Sequence, residues 1–181
     1  QSDNFREDSA VMCEIFFLIS TFMEFEIDEQ IFQAISSFLI SEEKVTIILP
    51  YLKEVNSYDI KNKSGKNFLI NYNKYDIEIK RTACEKYAAC LSKLSNYINW
   101  VPFFEENDLS NLFIEMLLMK DRYIPLYSAY ALIPIWENQK IQNPKLILAI
   151  VNLLFHEHRS IIRVACCSIK YLILSNEEVF D

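Results

Sequence analysis

The sequence predicts an all-α protein, and three observations carry that prediction. Apolar residues recur with the helical period in almost every segment of the 181 residues. Gly65 is the single glycine, where roughly 13 would stand at the usual frequency. Hairpin-dense β folds lean on glycine for their turns, so its scarcity argues against them. Hydrophobic residues make up 51% and charged residues 24%, the balance of a globular chain rather than a disordered one. A chain of this length buries enough surface to need no disulfide or metal staple.

The elements follow in order. Asp8 can cap a first helix with Met12, Ile15, Phe16, Ile19, Phe22 and Met23 on one face. Asp28 starts a second, with Ile31, Phe32, Ile35, Phe38 and Leu39. Ser41 starts a third, with Val45, Ile48, Leu49, Leu52 and Val55; Pro50 falls inside it and should kink or break it. Residues 57–75 lose the period and hold the glycine, which predicts a long flexible insertion. Helices resume at about 76–97, 108–120 and 122–137. Asn143-Pro144, a cap followed by proline at the first helical position, opens 144–157. Ser160 opens the last helix, through Ile161, Ala165, Ser168, Ile169 and Leu172. That makes eight helices in one domain, joined mostly by tight turns that leave neighbours antiparallel.

A pattern repeats within them. Ile124, Ser128, Ala131 and Leu132 return as Ile161, Ala165, Ser168 and Ile169, and Ile79 with Ala83 begins a weaker copy. Small residues at these positions let paired helices approach closely, and large aliphatics fill the layer between pairs. The pattern resembles the second helix of a HEAT repeat, in the HEAT/armadillo-type helical-repeat superfamily. That resemblance implies antiparallel pairs stacked as a short right-handed α-solenoid of about four pairs; a compact helical bundle is the alternative.

Charge is unevenly spread. The net charge is −7. Residues 1–60 hold three basic and twelve acidic groups, whereas 61–81 hold six basic and two acidic. An acidic surface argues against general nucleic-acid binding. Glu14, Glu24, Glu26, Asp28 and Glu29 crowd the first inter-helix turn, and a basic partner segment would relieve their repulsion. Cys13, Cys84, Cys90, Cys166 and Cys167 form no Cys-x-x-Cys and lie in apolar helical stretches, so all five read as small buried hydrophobes in a reducing compartment. The polar start predicts no signal peptide, and no apolar run reaches the length of a membrane span. The expected location is intracellular, cytoplasmic or nuclear.

No residue set predicts chemistry. A single glycine cannot build a phosphate-binding loop or a nucleophile elbow. His156 and His158, two apart on a helix, would face different sides and suit no common metal. Glu42-Glu43 and Glu105-Glu106 fit the first-turn preference of helices for acids. Neither a catalytic set, a cofactor site nor a metal site is predicted. Tyr58, Tyr72 and Tyr75 interleave with Lys61, Lys63, Lys66 and Lys74, a texture that could stack nucleotides and supports a helical-repeat nucleic-acid binder as one alternative.

Leu91, Leu94, Tyr97, Trp100 and Val101, followed by Leu112, Leu117-Leu118 and the small-residue helix to Ile135, resemble a stretch of exportin-type karyopherins. The resemblance covers about 88–135. It implies a fragment or reduced relative of a nuclear transport receptor as the first alternative, ahead of the nucleic-acid binder. The leading expectation is a non-enzymatic interaction scaffold, or a structural subunit of a larger assembly. Its candidate partner residues are Glu24, Glu26, Asp28 and Glu29, and Tyr123, Lys170 and Tyr171 on the second helices of the later pairs.

Overall fold

A computed structural model describes residues 2–24, 27–63, 74–138 and 143–174. Among them the secondary structure is entirely helical. The order is α1 (Ser2–Phe22), α2 (Glu29–Ile40), α3 (Glu42–Lys63), α4 (Lys74–Leu94), α5 (Trp100–Glu106), α6 (Ser110–Leu117), α7 (Tyr123–Glu137), α8 (Pro144–Asn152), a single 3-10 turn (Leu153–Phe155) and α9 (Arg159–Leu174). Length predicts a single domain; the chain divides into two compact units, Gln1–Cys90 and Leu91–Asp181.

Local chemistry sets several boundaries. Asp28 Oδ1 accepts from Ile31 N at 2.8 Å and starts α2. Ser41 both ends α2, donating from Oγ to Phe38 O, and starts α3, accepting from Lys44 N. Asn143 Oδ1 accepts from Lys145 N and Leu146 N, with Pro144 in the first turn of α8. The α5–α6 turn needs a left-handed residue, and Asp108 takes it at φ 43°. Aspartate tolerates that region better than most side chains, so the turn closes without glycine.

Four expectations are corrected. α1 begins at Ser2, so Asp8 lies inside the helix rather than capping it. α3 is not broken at Pro50 but runs on to Lys63. Pro50 and Thr46 are both exposed, so the carbonyl that the proline leaves without a helical partner lies on a wet face. The aperiodic segment therefore shrinks: 57–63 belong to α3, 74 and 75 open α4, and 64–73, with Tyr72 and Gly65, lie outside the described residues. Residues 57–63 lack an apolar period because part of their hold is ionic. Asp59 takes a two-pronged bond from Arg81 of α4, at 2.7 and 3.0 Å. The fourth correction is an additional helix. α4 stops at Leu94, turns occupy the next residues, and Trp100 opens α5, so nine α-helices stand among the described residues instead of eight.

Unit 1 is tied by contacts between residues distant in sequence. Phe16 of α1 meets the edge of Tyr87 of α4, with centroids 5.2 Å apart, and Cys90 Sγ donates to Phe16 O. Tyr87 Oη donates to Leu39 O of α2 at 2.9 Å. Ser9 Oγ donates to Tyr51 Oη of α3 at 2.9 Å. Lys80 pairs with Glu54, again joining α3 to α4.

Unit 2 is built around helices packed on helices. α6 packs on α7 and on α8, α8 packs on α9, and α7 and α9 share the most extensive contact. Both helices carry a buried small-residue stripe. Ile124, Ser128, Ala131 and Leu132 of α7 are fully buried, as are Ile161, Ala165 and Ser168 of α9. Trp100 sits among Phe103, Phe104 and Phe113, each with its centroid about 6 Å away. Its Nε1 donates to Ala131 O at 2.8 Å, which locks α5 to α7.

The cysteines divide. Cys84 and Cys90 are buried as expected, and Cys13 is half-buried. Burial and the neighbouring Glu14 hold its thiol above its ordinary pKa. Cys166 and Cys167 are exposed, contrary to expectation. The buried arc of α9 holds Ile161, Val164, Ala165 and Ser168, and the helical turn carries 166 and 167 away from it.

Candidate protein-interaction surface

The surface is clearest on α7. Its packed arc holds Ile124, Pro125, Ser128, Ala129, Ala131, Leu132, Ile135 and Trp136. The opposite arc carries Tyr123, Tyr127 and Tyr130, at the i, i+4, i+7 spacing that aligns side chains along a helix. Tyr123 is 41% exposed and Tyr130 is 47% exposed. Tyr123 and Tyr127 stack, with centroids 6.3 Å apart and planes 22° off parallel. The Arg122 guanidinium lies 5.3 Å from the Tyr123 ring centre. Asp121 fixes this end of the helix: its Oδ1 accepts from Tyr123 N at 2.6 Å and Ile124 N at 3.0 Å.

Glu137 ends the same outward arc and joins it to α9. It is the hydrogen-bond partner of Tyr171, and that bond, with the carboxylate's charge, holds the phenol above its ordinary pKa. Lys170 beside it is exposed. Two planar phenols in register and a stacked guanidinium form an amphipathic surface of aromatic faces and polar tips. Tyrosine and arginine are enriched where proteins bind one another, because both bury area at little entropic cost.

Of the sequence-predicted residues, Tyr123, Lys170 and Tyr171 belong to unit 2, and the tyrosines are held by the contacts above. Glu24, Asp28 and Glu29 belong to unit 1 and are exposed. Asp28 is committed to capping α2. Glu26 lies outside the described residues. Sequence reasoning missed Arg122, Tyr127 and Tyr130. The available signal was the tyrosine spacing 123, 127, 130, which runs along the side of α7 opposite the small-residue stripe.

His156 and His158 stand differently from expectation. They lie in the link between the 3-10 turn and α9, not on a helix. Released from helical geometry, the rings come within 5.4 Å, and His158 N donates to His156 Nδ1 at 3.2 Å. Among the described residues, no group of three or more His, Cys, Asp or Glu could hold a metal ion. Among the same residues, no helix is long and apolar enough to cross a membrane. Comparison with known proteins finds no matching family model, no matching curated protein and no matching solved structure.

Proposed function

We propose that this chain is a non-enzymatic protein-interaction scaffold or structural subunit, built from helix pairs in the manner of a HEAT-type array. The α6–α7 and α8–α9 pairs support the architecture: first helix lies on first helix, second on second, and the repeated small residues are buried. The observation that carries the function is the outward stripe of Tyr123, Tyr127 and Tyr130 on a helix whose other side is fully packed. A rigid helix presenting stacked phenols supplies binding area without ordering cost. The transport-receptor reading gains nothing specific, because Trp100 has a packing role in unit 2.

The test is affinity capture with the intact chain and with Tyr123→Ala/Tyr130→Ala. Both sites are exposed, so the thermal midpoint should hold while the co-captured proteins seen with the wild type are lost. Two central aromatic anchors are worth roughly 2 kcal/mol or more, a loss of about thirtyfold in affinity. An unchanged set of captured proteins would remove the stripe from the function.

A further inference from the structure

Two other helices turn unusual faces outward. In α1, Val11, Leu18 and Phe22 are 55%, 64% and 48% exposed. At about 100° per residue they fall within about 40° of one another, so they form one apolar ridge. Glu14 stands beside it, exposed. Phe17 is 47% exposed but lies further round the helix, with the Lys86 ammonium 5.2 Å from its ring centre, and is not part of the ridge. Asp28 and Glu29 follow at the start of α2, exposed and acidic. Single exposed hydrophobes are ordinary on a protein surface, whereas three on one narrow arc require an explanation.

The outward face of α9 has the opposite charge. Arg159, Arg163 and Lys170 are exposed and also fall within about 40° of one another. The helix contains no acidic residue. Ile173 and Leu174 are exposed beside this cationic line, and Cys166 and Cys167, also exposed, flank it on either side.

We propose that the outward face of α9 in one copy of this chain docks on the outward face of α1 in a second copy. Charge selects this pairing. Two α1 faces would bring acid against acid, and two α9 faces cation against cation. The mixed contact brings the three cations toward Glu14, Asp28 and Glu29, while Ile173 and Leu174 cover one end of the Val11–Leu18–Phe22 ridge. It is heterologous, because each copy keeps one face of each kind free for another copy. One helix face against another is a small interface, so the association is weak, rises with concentration and falls with salt. It does not involve the tyrosine stripe of α7, so this inference and the proposed function stand or fall separately.

Sedimentation equilibrium over a concentration series tests it. The wild-type chain should show a mass above the 21.4 kDa of one copy at high concentration, returning toward that value as salt is added. Leu18→Asp spoils the α1 face and Arg163→Asp spoils the α9 face. Each variant alone should remain a single copy, with its circular dichroism and thermal midpoint unchanged. Mixed in equal amounts, they retain one intact α9 face and one intact α1 face between them. The mixture should therefore reach twice the mass of one copy and go no further. Alkylation of Cys166 and Cys167 should slow in the mixture relative to either variant alone. A wild type that stays single at every concentration overturns the proposal. So does loss of association in only one of the two variants, which would mean like faces meet, and so does a mixture that remains single.

Discussion

The two units are held together in different ways. In unit 1, many of the identifiable ties are polar and each joins residues far apart in sequence: Ser9 to Tyr51, Tyr87 to Leu39, Arg81 to Asp59. In unit 2 the work falls to apolar surfaces meeting along whole helices, with α7 on α9 and an aromatic cluster at Trp100. The first arrangement adds a few specific partners to a buried apolar core that includes Phe16, Phe32, Leu39, Ile48, Leu52 and Val55. The second spreads its stabilisation over many small contacts and is sensitive to volume instead. Substitutions of matched kind should therefore cost different amounts in the two halves.

Trp100→Ala should have the largest effect. It removes the ring packed against Phe103, Phe104 and Phe113 and leaves Ala131 O without its indole donor. The expected loss is roughly 3–5 kcal/mol, read as a drop in the urea midpoint. Hydrogen exchange should show the α5 and α7 amides opening first. Equal loss of protection in α2 and α3 would break the comparison, because the damage would not then be confined to unit 2.

Volume sensitivity is tested at the α7–α9 contact. Ala165 is fully buried, and Ala165→Leu should overpack the contact by roughly 1–3 kcal/mol. An unchanged melting temperature would mean that the small-residue stripe does not set the helix approach. Ser168, in the same stripe, is buried with no hydrogen-bond partner for its hydroxyl among the described residues, whereas Ser128 of α7 donates to Ile124 O. Ser168→Ala should therefore stabilise by about 1 kcal/mol, while Ser128→Ala should not. The same pair of midpoints reads both.

The same difference explains what the sequence revealed. Ala131, Ala165, Ser128 and Ser168 were legible as buried because helix packing leaves a periodic trace, small residues recurring at fixed offsets. The caps at Asp28, Ser41 and Asn143 were legible for a similar reason, since each acts on its own neighbours. Residues 57–63 were not, because the tie holding Asp59 to Arg81 crosses 22 positions and leaves no period. α5 was missed because its seven residues are too short to show one. On the candidate surface, Tyr123, Lys170 and Tyr171 were visible as polar-tipped side chains near buried stripes. Their relation to Tyr127, Tyr130 and Glu137 depends on which side of α7 is packed, and only the fold shows that.

Unit 1 is probed through its ion pair. The Arg81 and Asp59 side chains are only 15% and 18% exposed, so their two-pronged bond is partly shielded from water. Arg81→Ala leaves Asp59 shielded without its fork and should cost about 1–2 kcal/mol, less than the overpacking limit in unit 2. Arg81→Lys keeps the charge but loses the planar geometry, and should fall between the two. If the alanine and lysine variants unfold at one urea concentration, charge contributes nothing beyond geometry. If neither differs from wild type, the extension of α3 to Lys63 is held by something else.

The smallest loss is expected at Tyr87, and its pH dependence is the most diagnostic. The ring is fully buried, and Oη donates to Leu39 O. Tyr87→Phe keeps the ring against Phe16 and removes only that bond, a loss of about 1 kcal/mol at neutral pH. Burial pushes the phenol pKa well above its ordinary 10.0, since a phenolate could not be solvated there. Below pH 10 both folded and unfolded chains hold the proton, and the shift contributes no pH dependence. Above it the unfolded chain releases a proton that the folded chain keeps, so stability falls as pH rises, by up to ~1.4 kcal/mol per pH unit for this one group. Phenylalanine has no proton to release. The gap between wild type and Tyr87→Phe should therefore stay constant up to about pH 10, then close and reverse at higher pH. Every other titratable group is common to both proteins and cancels in the difference. Urea midpoints of both proteins across that range measure it. A gap that stays constant through the alkaline region would mean that Tyr87 ionises as freely in the folded chain as in the unfolded one, and that the α2–α4 tie in unit 1 opens before the chain unfolds.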